Sequence, residues 1–335
     1  MDTDTLLKNT SRSLYLSARI LPRPVRPAFG IAYLLCRYAD TIADTALLAP
    51  EKRLFWIERF AQIVRTQPGD LMTQLTRDIC GKSDNPYEEE LIKNLPLCLE
   101  EFNKRSPDLQ TVILEVVTHV CEGMQIDLRS FAAHGAAQPR AFARADELEH
   151  YCRLMGGKPG LFWSKLIAKT VPLKVREEDF FAWGEMIGDA LQIVNILRDL
   201  PKDLQNGRCY FPLEDLEKEN LTPTDLLRAQ NSMRFEPVKQ KWIAWGLARL
   251  QQAPAYFAQI PKTQPGQRAA VAWPVLWTAD TFYLLSQTRD LLDASKRVKI
   301  PRSTVYFTML CTPALWVSNG VFSRWLTHKI NRVAQ

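Results

Sequence analysis

Helical periodicity runs through almost the whole chain and constrains its fold more than any other feature. Apolar side chains recur every three or four residues in the segments 54–64, 109–128 and 180–200, which is the spacing of one face of an α-helix. The last of these segments is also rich in Ala, Leu, Met and Gln, which favour helices. Alternating β-branched runs joined by a hairpin turn are almost absent. The sequence therefore predicts a single all-α domain of many helices.

Two aspartate pairs within these helical segments share one spacing. Asp40 and Asp44 form the first pair, and Asp199 and Asp203 form the second. Residues four apart lie on one face of a helix, so each pair presents two carboxylates side by side. Their repulsion grows near an apolar interior, where the dielectric screens less. A lone pair of this kind is usually a solvated helix face. Two pairs, each beside apolar sequence, favour Mg²⁺, which binds carboxylates, waters and substrate phosphates.

Arginines accompany both aspartate pairs. Arg37 lies three residues before Asp40, Arg198 directly precedes Asp199, and Arg208 follows an Asn-Gly turn shortly after the second pair. Arginine presents a planar fork of donors that matches phosphate oxygens. If the two pairs face one another across the core, metal and arginine together would hold a diphosphate and stabilise the charge that grows as it leaves. The alternative for Arg208 is an ordinary loop arginine.

Two further segments are each open to two interpretations. The hydroxyls of the 11–13 segment, Ser-Arg-Ser, are either helix caps or, with the arginine, donors to an anion. Tyr151 precedes Gly156 and Gly157 by one to two turns. Clustered glycines indicate a kink or a close approach of backbone to a ligand. Alternatively, the two glycines end one helix and Pro159 begins the next.

Composition excludes several classes of function. The net charge of +6 is spread without a run of five basic residues, unlike a nucleic-acid binder, but it suits anionic small molecules or an anionic membrane surface. The seven cysteines are odd in number and form no Cys-x-x-Cys, which predicts a reduced, cytosolic setting. The four histidines have no metal-ligand spacing, which argues against zinc.

The segment 303–323 carries no charge, but Pro313, Asn319 and Gly320 interrupt it. It therefore falls short of a membrane-spanning helix, which needs about 20 predominantly apolar residues. One interpretation is a buried pair of terminal helices. The other is a segment at a membrane interface, with Trp316, Phe322 and Trp325 at headgroup depth and Arg324 and Lys329 alongside.

Five segments in order resemble the squalene and phytoene synthases, the head-to-head prenyl transferases of the all-α isoprenoid synthase fold. They are Ser11–Ser13, Tyr33–Asp44, Gly123–Asp127, Tyr151–Gly160 and Gln192–Pro212. A later segment, Lys296–Arg302, and the apolar tail after it are similar to squalene synthases, with a bacterial squalene synthase as the nearest type.

The resemblance implies a single large helical bundle around a central cavity. Residues 1–300 would form the catalytic domain, and residues 301–335 a helical, apolar tail that packs on the core or on the membrane interface. The protein is expected in the cytoplasm, with peripheral contact to the inner face of the membrane. Nucleic acid and an obligate protein partner are not expected.

The reaction implied is that of squalene synthase. Two farnesyl diphosphates would couple through presqualene diphosphate, and NADPH would reduce the product to squalene. Asp40, Asp44, Asp199 and Asp203 would bind Mg²⁺, and Tyr151 would assist proton transfer. The other implied residues are Ser11, Arg12, Ser13, Tyr33, Arg37, Gln192, Asn195, Arg198 and Arg208 for the diphosphates, and Lys299 and Arg302 for NADPH.

Two alternatives stay open. A dehydrosqualene or phytoene synthase would make the same type of cyclopropyl intermediate without a reductant. A non-catalytic assembly factor of the same fold would be expected to lose the aspartates, and all four are present.

Overall fold

The structure, a computed structural model, describes residues 2–11, 18–45, 47–83, 85–132 and 137–333. The chain forms two compact units, Met1–Arg129 and Ser130–Gln335. Within the described residues, regular structure is helical apart from one pair of two-residue strands, so the all-α prediction is confirmed. The predicted division into a catalytic part, 1–300, and a tail, 301–335, stays a prediction.

Proline marks the start of most helices in the first unit, because its missing N–H group would be unpaired there in any case. Four of these helices have proline at their first or second position. The helices are α1 (Thr3–Thr10), α2 (Arg26–Asp44), α3 (Pro50–Thr66), α4 (Gly69–Ile79), α5 (Pro86–Lys93), α6 (Leu95–Asn103) and α7 (Pro107–Phe131), the last ending two residues into the second unit.

The second unit is built around one long central helix, α10, and a short parallel strand pair in which Arg140 lies opposite Arg208. Its elements are β1 (Arg140–Ala141), α8 (Ala145–Cys152), a π-helical turn (Arg153–Gly157), α9 (Lys158–Ala168), α10 (Glu177–Gln205), β2 (Arg208–Cys209), α11 (Leu213–Lys218), α12 (Ser232–Leu250), α13 (Ala253–Gln259), α14 (Pro265–Gln287), α15 (Arg302–Leu310), α16 (Thr312–Val317) and α17 (Asn319–Val333). Two short 3₁₀ turns, Asp225–Leu227 and Ala229–Asn231, lie before α12.

Helix α10 continues through Pro201, so Asp203 stays on the same helix as Asp199. It ends at an Asn-Gly turn in which Gly207 has a φ of +77°, a conformation that glycine adopts without a steric penalty. The turn predicted at this position is therefore confirmed.

Glycines let the π-helical turn and α9 approach α10 backbone to backbone. A Cβ atom on Gly188 would lie 2.1 Å from the carbonyl oxygen of Gly156, and one on Gly160 would lie 2.2 Å from that of Gly184. The chain stays helical from α8 through the π-helical turn into α9. The π-helical turn ends at Gly157 and α9 begins at Lys158 with Pro159 in its first turn, as one of the two interpretations predicted. The glycines also allow the close contact with α10.

The C-terminal segment is folded onto α13 and α14 along one side of α17. Phe322 stacks on Phe257 with ring centroids 4.1 Å apart, and Lys329 forms a buried ion pair with Asp280. Phe322 and Lys329 are therefore internal, so of the two interpretations the one that places them at a membrane interface is wrong for these residues. Trp316, by contrast, is partly exposed.

None of the helices within the described ranges has both the length and the hydropathy that crossing a membrane requires.

Candidate active site

The first aspartate motif lies on α2 of the first unit, where Arg37 links two acidic groups. Arg37 donates from Nη1 to Asp40, and from Nη2 to Oε1 of Glu88 at 2.6 Å. Glu88 lies on α5, 51 residues away. Sequence reasoning missed it, because no local spacing connects it to the motif. Asp44 follows Asp40 by one helical turn on the same helix, as predicted.

The environment of Asp40 disfavours its charged form. Burial, together with the neighbouring Asp44 carboxylate, raises the pKa of Asp40 to about 6, although the Arg37 guanidinium acts in the opposite direction. Two carboxylates in one partly buried place repel each other. A divalent cation would remove this repulsion, and the oxygen donors present are those that Mg²⁺ prefers. The pair therefore fits the predicted metal.

The N-terminal residues predicted to bind diphosphate are only partly described. Tyr33 lies one turn before Arg37 on α2, and its hydroxyl donates to the carbonyl oxygen of Thr10 at 3.0 Å. Ser11 is buried, and its hydroxyl donates to the carbonyl of Leu7. In this conformation Ser11 completes the end of α1. Arg12 and Ser13 lie outside the described residues.

The second aspartate motif, on α10 of the second unit, repeats the arginine–aspartate arrangement of the first. Arg198 donates to both carboxylate oxygens of Asp199, from Nε to Oδ1 at 3.0 Å and from Nη2 to Oδ2. A second arginine, Arg297, approaches Asp199 from the loop before α15, with Nη2 3.9 Å from Oδ1. The sequence contained Arg297 within the basic segment 296–302, but nothing in the spacing indicated that it reaches this carboxylate.

The remaining predicted polar residues of this motif follow one side of α10 and the turn after it. Gln192 and Asn195 lie two turns and one turn before Asp199, and Asp203 lies one turn after it; all are half-buried. Arg208 follows the Gly207 turn and begins β2. The motif is therefore contiguous in space as well as in sequence. The two aspartate motifs lie in different units, and each is described within its own unit.

Tyr151 belongs to a buried aromatic cluster in the second unit. Its hydroxyl donates to that of Tyr210 at 3.4 Å, and the two rings stack with centroids 4.9 Å apart. Phe142 contacts both tyrosines, and Phe131 contacts Phe142 and Tyr210. Sequence reasoning missed Tyr210, although it lies within the segment Gln192–Pro212, two residues after Arg208. The cluster buries the ring of Tyr151 among other aromatic rings.

A buried carboxyl that sequence reasoning missed lies beside the π-helical turn. Asp189, on α10, is 3% exposed, and its Oδ2 lies 3.4 Å from Nε of Arg249. Arg249 also pairs with Glu149 on α8 and stacks over Trp245. Burial raises the pKa of Asp189 to about 7, although the charge of Arg249 opposes the shift. Arg249 thus ties α8, the helix of Tyr151, to α10, the helix of the aspartates.

The residues predicted for NADPH are both on the surface of the second unit. Lys299 is exposed in the loop before α15, and Arg302 is exposed as the first residue of α15. Residues 294–335 contain no Asp or Glu, so the region is locally basic. Exposed arginine and lysine suit the phosphate groups of a dinucleotide.

No group of three or more His, Cys, Asp or Glu side chains suited to one metal ion occurs within the described ranges. Each aspartate motif contributes two carboxylates, and this number is sufficient where substrate phosphates and water complete the coordination of Mg²⁺.

Comparison with known proteins gives a consistent family. The model of the family described as squalene/phytoene synthase matches residues 7–304. The chain is 24% identical to phytoene synthase 2, chloroplastic, of Oryza sativa subsp. japonica over 85% of its length, and it spans 61% of that relative. It is 26% identical to 15-cis-phytoene synthase of Synechocystis sp., covering 82% of this chain and 71% of the relative. The chain thus spans only about three fifths of the plant relative.

Two solved structures share its fold. A complex of TcSQS with the ligand BPH1237 matches with a TM-score of 0.78 and 19% identity, covering 99% of this chain and 96% of that one. The squalene synthase HpnC from Alicyclobacillus acidocaldarius matches with a TM-score of 0.61 and 17% identity, covering 86% and 92%. The predicted isoprenoid synthase fold of the squalene synthase type is therefore confirmed.

Proposed function

Because the chain belongs to the squalene/phytoene synthase family, we propose that it is a magnesium-dependent squalene synthase. In this reaction two molecules of farnesyl diphosphate couple head to head to presqualene diphosphate. NADPH then reduces the second carbocation to squalene. The family resemblance predicted from the sequence is confirmed at the level of head-to-head prenyl transferases. The choice of squalene as product is our proposal.

The observation that carries the proposal is the repeated arginine–aspartate arrangement. In each unit an arginine bonds to the first carboxylate of an i, i+4 aspartate pair, Arg37 to Asp40 and Arg198 to Asp199. A diphosphate brings oxygens for the arginine, and Mg²⁺ brings positive charge for the carboxylates. When substrate and metal bind, each arginine can therefore exchange its aspartate for a phosphate oxygen, and each aspartate can exchange its arginine for Mg²⁺. The net charge of the site then changes little.

The aspartate pairs would hold the metal, and the arginines would orient the diphosphate oxygens. Bound Mg²⁺ supplies a Lewis acid that stabilises the negative charge on the departing diphosphate. When the carbon–oxygen bond of the first farnesyl diphosphate breaks, Arg37, Arg198 and Arg208 would bind the charge that develops. The double bond of the second molecule then attacks the allylic carbon, and loss of a proton closes the cyclopropane ring.

We propose that Tyr151 assists this proton transfer. Its hydroxyl donates to the hydroxyl of Tyr210. A neutral phenol is a weak base, and the released diphosphate would be the final proton acceptor. The rings of Tyr210 and Phe142 contact the ring of Tyr151, and Phe131 contacts both of those rings in turn. Such rings exclude water and stabilise a nearby carbocation by about 0.5–2 kcal/mol per contact.

For the reductive step we propose that Lys299 and Arg302 bind the phosphates of NADPH, with Arg297 beside them. Arg297 approaches Asp199, so the basic segment 296–302 lies next to the second aspartate motif. This proximity favours squalene synthase over a family member that needs no reductant. The reductant delivers a hydride to the carbocation left after loss of the second diphosphate.

A second candidate is a dehydrosqualene or phytoene synthase. The curated relatives reported above are named phytoene synthases, and such an enzyme would omit the reduction. A non-catalytic assembly factor is disfavoured, because all four aspartates and their arginines are in place. We further propose that the protein works in the cytoplasm at the inner face of a membrane, because its substrate chains and product are apolar.

Product analysis separates the candidates. The purified chain is incubated with Mg²⁺ and either farnesyl diphosphate or geranylgeranyl diphosphate, with and without NADPH, and the products are identified by mass spectrometry. Squalene that appears only with NADPH supports the proposal. An unchanged C30 product in both reactions identifies dehydrosqualene synthase, and conversion of geranylgeranyl diphosphate alone identifies phytoene synthase.

Matched variants assign the two halves of the reaction. Asp199→Asn should abolish consumption of farnesyl diphosphate, whereas Lys299→Ala should leave the first coupling intact and raise the KM for NADPH. Lys262→Ala, a charge change at a position with no proposed role, is the control. Normal squalene formation by Lys299→Ala at low NADPH would refute the proposed cofactor segment.

A further inference from the structure

Large exposed apolar side chains are concentrated in the C-terminal part of the second unit. Tyr306, Phe307 and Leu310 on α15 are 67%, 58% and 78% exposed, and Trp316 and Val317 at the end of α16 are 37% and 64% exposed. The other large exposed apolar residues within the described ranges lie apart from one another in the sequence: Leu47, Phe55, Tyr87, Leu227 and Met233. Single exposed apolar residues are ordinary, but a group of them marks an interaction surface.

The three residues on α15 lie on one side of that helix. Tyr306 and Phe307 precede Leu310 by four and three residues, the spacing of one helical face. Arg302 is exposed one turn before Tyr306. We call the surface formed by Tyr306, Phe307, Leu310, Trp316 and Val317 the tail face.

The tail face belongs to a long segment of the sequence without acidic residues. Residues 294–335 contain seven Lys or Arg and no Asp or Glu, while the whole chain has a net charge of +6. The segment is therefore strongly basic, although the chain as a whole is only mildly so. Several of these cations have internal partners: Lys329 pairs with Asp280, and Lys296 pairs with Asp290. Arg297, Lys299, Arg302 and Arg324 are exposed.

Internal contacts hold the tail face outward. The buried guanidinium of Arg268 donates to the carbonyl oxygen of Leu315 at 3.0 Å and to Oδ1 of Asn319 at 2.7 Å. The indole of Trp273 donates to the hydroxyl of Thr312 at 2.9 Å. Leu315 is fully buried, whereas its neighbours Trp316 and Val317 are exposed. The surface is thus preformed, and binding through it would not require ordering of the segment.

We propose that the tail face docks on the surface of an anionic lipid bilayer. Exposed apolar side chains, in a segment with exposed cations and no acidic residue, complement acyl chains beneath negatively charged headgroups. The inference deepens the location proposed above by naming the docking residues and the lipid charge. Of the aromatic residues predicted from sequence to lie at headgroup depth, Trp316 belongs to this surface. Phe322 does not, because it is buried against Phe257.

Vesicle sedimentation tests the proposal. The purified chain is mixed with vesicles of phosphatidylcholine alone or with about one third phosphatidylglycerol, at low and at high salt. The wild type should bind the anionic vesicles at least tenfold more strongly than the neutral ones, and salt should weaken this binding because it screens surface charge. Phe307→Ser with Leu310→Ser should reduce binding to anionic vesicles at least tenfold.

A matched control removes two exposed apolar residues elsewhere in the same unit, Leu227→Ser with Met233→Ser, and should bind as the wild type does. Arg324→Gln should weaken binding to anionic vesicles without affecting the residual binding to neutral ones. Thermal melting establishes that each variant is folded. Equal binding of wild type and the Phe307/Leu310 variant would overturn the proposal.

The alternative occupant of the tail face is a second copy of the chain. Light scattering after size-exclusion chromatography tests this alternative, because it measures the oligomeric state. A wild-type dimer that the Phe307/Leu310 variant converts to a monomer would overturn lipid docking. The test is independent of catalysis, because turnover of detergent-dispersed farnesyl diphosphate should be equal in wild type and variant. Loss of vesicle binding with normal turnover supports the proposal even if the product is not squalene.

Discussion

The contact between Gly188 and the π-helical turn gives the sharpest prediction about the second unit. In Gly188→Ala, the added Cβ would lie 2.1 Å and 2.7 Å from the carbonyl oxygen and carbon of Gly156, and 3.0 Å from Cα of Gly157. All three atoms are backbone, so no side-chain rotation relieves the overlap. Helix α10 and the turn after α8 must therefore separate by about 1 Å, given ordinary nonbonded carbon–oxygen distances near 3.3 Å.

Two opposing effects set the magnitude. Replacing glycine by alanine inside a helix stabilises the helix by up to about 1 kcal/mol. Overpacking a tight interior costs about 1–3 kcal/mol, and the upper end applies where rigid backbone is displaced. We therefore expect Gly188→Ala to lower the free energy of unfolding by about 2 kcal/mol. Product formation should also fall. The displaced π-helical turn follows the end of α8, which carries Tyr151, and the displaced helix α10 carries Asp199.

Urea unfolding followed by circular dichroism measures the effect. Gly69→Ala is the matched control, since the added Cβ at the start of α4 meets no atom within 4 Å, and it should be neutral or slightly stabilising. The reasoning fails if Gly188→Ala is as stable as the wild type, or if the two variants change stability equally.

Three further predictions concern charge. Asp189 has a pKa of about 7, raised from 3.8 by burial, so the native state binds its proton more tightly than the unfolded state. Its contribution to stability is present in acid and is lost as the pH rises from about 4 to about 7, by up to about 4 kcal/mol. Asp189→Asn should flatten this decline in urea titrations at pH 5 and 8, and an unchanged slope would contradict the assignment. Chelation by EDTA should stop consumption of farnesyl diphosphate, and added Mg²⁺ should restore it. Asp203→Asn should reduce turnover at least about 100-fold while its circular dichroism spectrum stays unchanged. Full activity in EDTA would exclude the metal. Lys329→Met should cost about 3–5 kcal/mol, because it leaves the Asp280 carboxylate buried without its cation, and the double variant with Asp280→Asn should recover most of that loss in thermal melts.

The chemistry of the two aspartate motifs could be predicted from local spacing. A helix repeats every 3.6 residues, so Asp40 with Asp44 and Asp199 with Asp203 share a face wherever the helices lie. The family resemblance rested on these two motifs and on three other short segments. Both the helical class and the fold were therefore accessible from the sequence, although the roles of the individual site residues stay predictions.

The partners of these residues could not be predicted in the same way. Glu88 binds Arg37 from 51 residues away, and Tyr210 stacks on Tyr151 from 59 residues away. Arg297 approaches Asp199 from another element of the second unit. No periodicity links such positions, because their proximity results from packing of whole helices rather than from the geometry of any one helix.

The C-terminal segment shows the same division most clearly. The sequence alone shows that residues 294–335 contain seven cations and no acidic residue, and that 303–323 carry no charge. These properties determine that the segment suits an apolar or anionic environment. Which aromatic residues lie inside was decided by tertiary structure. Phe322 and Phe307 have the same side chain, yet α17 packs the first against Phe257 and α15 leaves the second 58% exposed. Burial depends on what the rest of the chain places against a helix face, and the residue type does not specify that.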